Sequence, residues 1–164
     1  MDLRKIYEYA LQREREGRDF FRNNAGRFGH AAVTGVFERL AEEEEKHIRF
    51  IQGLIQGLEA DGAMDLAAGE EMDQAGVFST RAESEMLDQT IIESMVPDLS
   101  VLRTAYLIER DFAEFYEMAA NRVEDETAKT SLQMLARWER QHEKLFKAMH
   151  DRAFEEYASM PWGG

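Results

Sequence analysis

The chain has 164 residues, 44% of them apolar and 32% charged, with a formal net charge of −13, two Pro and no Cys. That is one domain's length, with enough apolar content for a single core and a helix-favouring richness in Ala, Leu, Glu, Arg and Met. The composition excludes disulfides, thiolate zinc sites and thiolate-bound iron. No clustered basic face suits nucleic acid, no run approaches a membrane span, and Met1-Asp2-Leu3-Arg4-Lys5 lacks an apolar export core, so the cytoplasm is expected.

From about Leu3 to Phe28 the pattern is helical. Tyr7, Ala10, Leu11, Gly17 and Phe21 form an apolar stripe with Glu14 embedded in it. Asn24 to Gly29, with two Gly, breaks the helix. A second helix is expected from about His30 to Leu58, its stripe carrying Phe37, Leu40, Ala41, Ile48 and Ile51. Glu44 and His47 sit in the middle of that stripe, whereas Glu42, Glu43 and Glu45 point off it.

Residues 59–98 are less regular, with Gly62, Gly69 and Gly76 punctuating the first half and a helix expected over Thr80 to Met95. Pro97-Asp98 ends that stretch, and Asp98 or Ser100 can cap the next helix. A segment this long suits a crossover running the length of a helical bundle. A third helix is expected from about Leu99 to Val123, with Leu102, Ala105, Tyr106, Phe112, Ala113 and Tyr116 around Glu109. Asp125 is a credible N-cap for a fourth, about Glu126 to Ala158, whose Leu132, Leu135, Ala136 and Phe146 surround Glu139 and His142. The tail 159–164 reads as loose. Trp138 and Trp162 are candidates for a contact between chains, His30 and His150 for surface positions, and the Met residues for core filling.

Residues 10–55 lie over 105–150 without a gap. Ala10/Ala105, Glu14/Glu109, Arg15/Arg110, Phe20/Phe115, Ala25/Ala120, Arg27/Arg122, Leu40/Leu135, Ala41/Ala136, Glu44/Glu139 and His47/His142 match. Glu14 and Glu44 are 30 residues apart, as are Glu109 and Glu139, and the midpoints fall at the two expected turns. Fifteen residues up one helix and fifteen down the next, about 22 Å each way, return to one level. Each hairpin therefore sets a Glu opposite a Glu-x-x-His, and two hairpins packed face to face bring four Glu and two His together.

A single Glu in an apolar stripe is explained as well by a buried ion pair, and a single core His by a hydrogen bond. Six such residues in a two-fold arrangement are not. Four carboxylates at that density cannot all stay ionised without cations, and two divalent ions with two neutral imidazoles bring the formal sum to zero. Glu and His ligation without thiolate suits iron or manganese and also accepts zinc.

On these residues the chain resembles the ferritin-like superfamily, and most closely its rubrerythrin-like (erythrin) branch, over about residues 3–158. Ala10-Leu11 before Glu14 and Phe20-Phe21, then Leu40-Ala41 before Glu44 and His47, is similar to that family's first helical pair. Ala105, Glu109 and Phe115-Tyr116, then Leu135-Ala136, Glu139 and His142, is similar to its second. The resemblance implies an all-α, ferritin-like four-helix bundle of two hairpins joined by a long crossover with a short helix. It implies two iron ions, with Glu44 and Glu139 bridging, Glu14 and Glu109 terminal, and His47 and His142 each on one ion. Tyr116 matches a family tyrosine one further turn beyond a terminal Glu and is the candidate catalytic side chain; its counterpart Phe21 has no hydroxyl. Phe112 stands where rubrerythrins usually have a further carboxylate, which leaves a six-ligand set similar to that of bacterioferritins. The cysteine-bound iron domain of rubrerythrins has no counterpart here, so an external electron donor is implied, as is a homodimer or larger homo-oligomer.

The leading expectation is oxidation of Fe(II) by peroxide or dioxygen at a non-haem di-iron centre, with rubrerythrin-like peroxide reduction or ferroxidase activity. Iron binding or storage with little catalysis, a structural relic of the fold, and a substrate-hydroxylating oxygenase are the alternatives.

Overall fold

The computed structural model describes residues 2–27, 31–60, 64–75 and 99–159. Among them are five helices and no strand: α1 (Leu3–Ala25), α2 (Ala31–Glu59), α3 (Ala67–Ala75), α4 (Leu99–Ala120) and α5 (Glu126–Ser159). The chain is thus an all-α, ferritin-like bundle in which α1 packs along α2 and α4 along α5, and α1 also meets α4.

Each hairpin is set by local chemistry at its apex. The Asn24 side chain donates to the Phe20 carbonyl (2.8 Å) and the Arg27 amide to the Asn24 carbonyl (3.0 Å), which closes α1. Thr34 then donates to the Ala25 carbonyl (2.9 Å), tying the first turn of α2 to the last of α1. At the second apex the Asp125 carboxylate accepts from the Ala128 amide (2.7 Å), an N-cap in the expected place. Asp2 caps α1 in the same way through the Lys5 amide (3.3 Å), a cap that helical periodicity did not point to.

The buried Glu and His layer divides the apolar core in two. On one side lie Tyr7, Ile51, Leu54, Tyr116, Leu132, Leu135 and Trp138. On the other, Phe21, Phe37 and Phe146 pack as an aromatic trio with ring centroids 5.2–5.8 Å apart, joined by Leu40, Leu102 and Met149. A polar layer between two apolar halves holds its level, because sliding any helix by one turn would drive carboxylates into hydrocarbon.

The first half of the crossover holds a helix where the sequence reads as irregular. That helix is α3; Thr80–Met95, where a short helix is expected, lies outside the described residues, as do Asp98, His30 and Trp162. Gly69 does not break it. A Cβ there would stand 2.9 Å from the Phe50 ring and 3.0 Å from Met134 Sδ, so the glycine is what lets α3 lie flat on α2 and α5. Asp73 fastens it further, accepting from Trp138 Nε1 (2.7 Å) and Arg137 (2.7 Å). Trp138, expected as a contact between chains, is only 1% exposed within this chain's own core. His150 is also more enclosed than expected, packed between Tyr106 and Phe154.

Candidate metal centre

Glu14 from α1, Glu44 and His47 from α2, Glu109 from α4, and Glu139 and His142 from α5 all have zero solvent exposure. The Glu-x-x-His spacing puts each imidazole one turn from its carboxylate, with Nδ1 facing inward. His142 Nδ1 is 3.4 Å from an oxygen of Glu44, of Glu109 and of Glu139. His47 Nδ1 is 2.9 Å from Glu139, 3.1 Å from Glu14 and 3.5 Å from Glu44. The two rings stack with centroids 5.5 Å apart.

The close approaches are not all hydrogen bonds. His47 Nδ1 pairs properly with Glu14 (3.1 Å). Both oxygens of Glu44, Glu109 and Glu139 and both nitrogens of His142 have no hydrogen-bond partner in acceptable geometry, the 2.9 Å contact of Glu139 with His47 included. Buried polar groups are nearly always satisfied. Atoms that crowd together yet bond poorly to one another are arranged around shared points between them. Those points fall into two overlapping groups, Glu14-Glu44-His47-Glu139 and Glu44-Glu109-Glu139-His142, each able to hold a metal ion, with donor atoms within 4.8 Å of one another. An all-oxygen-and-imidazole donor set fits a pair of divalent ions such as iron.

The rubrerythrin family profile matches residues 5–150. The chain belongs to the rubrerythrin family. No curated protein and no solved structure gave a significant match. The match takes in every one of the six side chains, and the family's usual iron agrees with a cluster rich in carboxylate and imidazole.

Within this rubrerythrin-family bundle the six groups do not titrate alike. Burial raises Glu14 and Glu109 well above the ordinary carboxylate range, and the neighbouring Glu139 and Glu44 charges add to it. Burial pushes Glu44 and Glu139 the same way, but contacts with the imidazoles and their partner carboxyls bring both below that range. Burial alone would lower His47 and His142; Glu139 and Glu14 around one, and Glu109 with its neighbours around the other, raise them well above 6.5. Without metal, two carboxylates and two imidazolium ions therefore balance at zero charge, with four protons standing where four positive charges of metal would be.

Tyr116 is fully buried and its hydroxyl donates a short hydrogen bond to Glu14 Oε1. The expected tyrosine thus supports the carboxylate of the opposite hairpin rather than Glu109 on its own helix. Burial, with the Glu14 and Glu139 carboxyl groups beside it, raises the phenol well above 10, so it stays protonated. A second supporting residue was not legible in the sequence. Trp138 stacks on His47 (centroids 5.0 Å, planes 19° apart) while Asp73 holds its indole N–H, fixing the imidazole's tilt from outside. Its position directly before Glu139 is the only signal the sequence carried. The groove of ≈490 Å³ between α4 and α5, lined by Arg137, Arg140 and Lys144, contains none of the six residues.

No helix among the described residues is long and apolar enough to cross a membrane.

Proposed function

We propose that this protein is a di-iron oxidoreductase in which Glu14, Glu44, His47, Glu109, Glu139 and His142 bind two iron ions and a hydroperoxide is reduced. The overlap of the two ligand groups carries the reading: Glu44 and Glu139 stand in both and would be shared, while Glu14 with His47 would complete one site and Glu109 with His142 the other. When bound, two ferrous ions supply the two electrons that split the O–O bond of hydrogen peroxide, which takes up two protons and leaves as two molecules of water.

The chain's own residues prepare this chemistry. Glu44 and Glu139, held ionised, can meet an incoming cation without first losing a proton. To hold metal, His47 and His142 would give up the protons on Nδ1, and Glu14 and Glu109 those on their carboxyl oxygens. Tyr116 holds Glu14 in position and keeps an O–H beside the cluster. The apolar halves on either side keep bulk water out.

These 164 residues hold no Cys for thiolate-bound iron, so the electrons come from a group outside them. Assembly as a homodimer or larger homo-oligomer belongs to the same reading, by resemblance to the family. Stopped-flow mixing of ferrous-loaded protein with hydrogen peroxide is the test. We expect a visible absorption change within seconds at a ratio of two ions per chain; no change would sink the proposal, and uptake of many ions per chain would favour iron storage instead.

A further inference from the structure

The duplicated hairpins are not symmetric at one pair of equivalent positions. Applying the same offset that places Glu14 on Glu109 places Gly17 on Phe112. The ring fills the space the glycine leaves. A Cβ added at Gly17 would lie 3.1 Å from Phe112 Cε2, closer than ordinary contact, and 3.8 Å from the Glu44 carboxyl carbon. Gly17 and Phe112 are therefore the partition between Glu44 and whatever lies outside the α1/α4 seam.

Outside it lies a groove of ≈210 Å³ lined by Arg13, Glu16, Gly17, Ile108, Asp111 and Phe112. The Arg13 guanidinium covers the Phe112 ring, 4.5 Å from its centroid. Arg13 Nε is buried there without a hydrogen-bond partner. A buried, unsatisfied donor against an aromatic wall is a place for a small oxygen-bearing molecule to pause. The short helix α3 packs on the other side of the bundle, against Phe50 and Trp138, and leaves this seam clear of its own residues.

We propose that a hydroperoxide reaches the cluster through this seam, and that Phe112 sets the largest size admitted. The proposal rests on the di-iron reading above. Hydrogen peroxide passes with a small swing of the ring, Arg13 Nε–H donating to it on the way. A hydroperoxide with a branched alkyl group requires the ring to leave its place against Gly17, which the overlying Arg13 resists.

Two variants push in opposite directions. Phe112→Ala opens the partition, and Gly17→Ala presses a methyl group against the ring and tightens it. Ferrous-loaded protein is mixed with hydrogen peroxide or with tert-butyl hydroperoxide, and zinc-loaded protein, separately, with a chromogenic chelator that reports metal release without any redox step. In Phe112→Ala the rate with tert-butyl hydroperoxide relative to hydrogen peroxide rises about tenfold, and zinc is released faster by a similar factor, ~1.4 kcal/mol in barrier. In Gly17→Ala both the ratio and zinc release fall. A variant that merely loosens the fold speeds both hydroperoxides together and leaves their ratio alone, which counts against the proposal. Unchanged ratios in both variants, in protein that carries two ions per chain and consumes hydrogen peroxide, overturn the route while leaving the di-iron reading intact. A wild-type protein that neither holds metal nor reacts with hydrogen peroxide sinks the di-iron reading, and the route with it.

Discussion

Glu44 and Glu139 share a property the other four cluster residues lack, since each stands within reach of both candidate metal positions. Replacing a shared carboxylate should therefore damage both sites, and replacing an unshared one should damage a single site. We expect Glu139→Gln to carry well under one ion per chain after desalting and Glu14→Gln to retain about one, against about two for the unaltered protein, as measured by metal analysis. Equal losses in the two variants would contradict the assignment. Tyr116→Phe should retain its metal but react with peroxide ~10- to 100-fold more slowly, the usual cost of losing an outer hydrogen bond to a ligand; a rate within twofold would leave the hydroxyl without a role. The six cluster residues are legible in the sequence because a carboxylate inside an apolar helical stripe is conspicuous. The bond from Tyr116 to Glu14 is not legible, since it joins residues 102 positions apart on different hairpins.

The four long helices are legible at the scale of elements because periodicity and turn chemistry agree, down to Asp125 as a cap. The short helix α3 is hidden for a physical reason. It is nine residues long, too short to be stable alone, and is held by contacts to α2 and α5 that no local pattern encodes. Gly69 reads as a breaker when the chain is taken by itself and as a close-packing residue once Phe50 and Met134 are in place. Gly69→Ala should lift α3 off that surface at a cost of ~1–3 kcal/mol, the range for overpacking a tight contact. Thermal melting reads the loss, and hydrogen exchange should localise it to 67–75 and to the Trp138 turn of α5. Unchanged exchange there would mean that α3 does not depend on this contact.

The whole molecule carries a net charge of −13 around a core cluster that protons or metal ions can each neutralise. In the metal-free protein Glu14 and Glu109, raised by burial, bind protons more tightly folded than unfolded. So do His47 and His142, whose carboxylate neighbours outweigh burial. The stability these groups contribute is full at low pH and is lost as pH rises, beginning above 4.5 for the two carboxyls and above 6.5 for the imidazoles. Glu44 and Glu139 run the other way, their contribution present above 4.5 and lost in acid. The metal-free melting temperature should therefore fall between about pH 6 and about pH 9. Metal displaces the bound protons, so its stabilising effect should grow over the same interval, reaching ~2.7 kcal/mol per site at a hundredfold excess over Kd. A metal-free melting temperature that rises over that interval would contradict the charge arrangement.

The most direct test of the centre itself is a crystal structure of the iron-loaded protein with anomalous scattering recorded at the iron edge. Two peaks between the hairpins, with Glu44 and Glu139 each touching both and one Glu and one His completing each, is the result expected. Density confined to surface carboxylates, with the six side chains bonded only to one another, would contradict it.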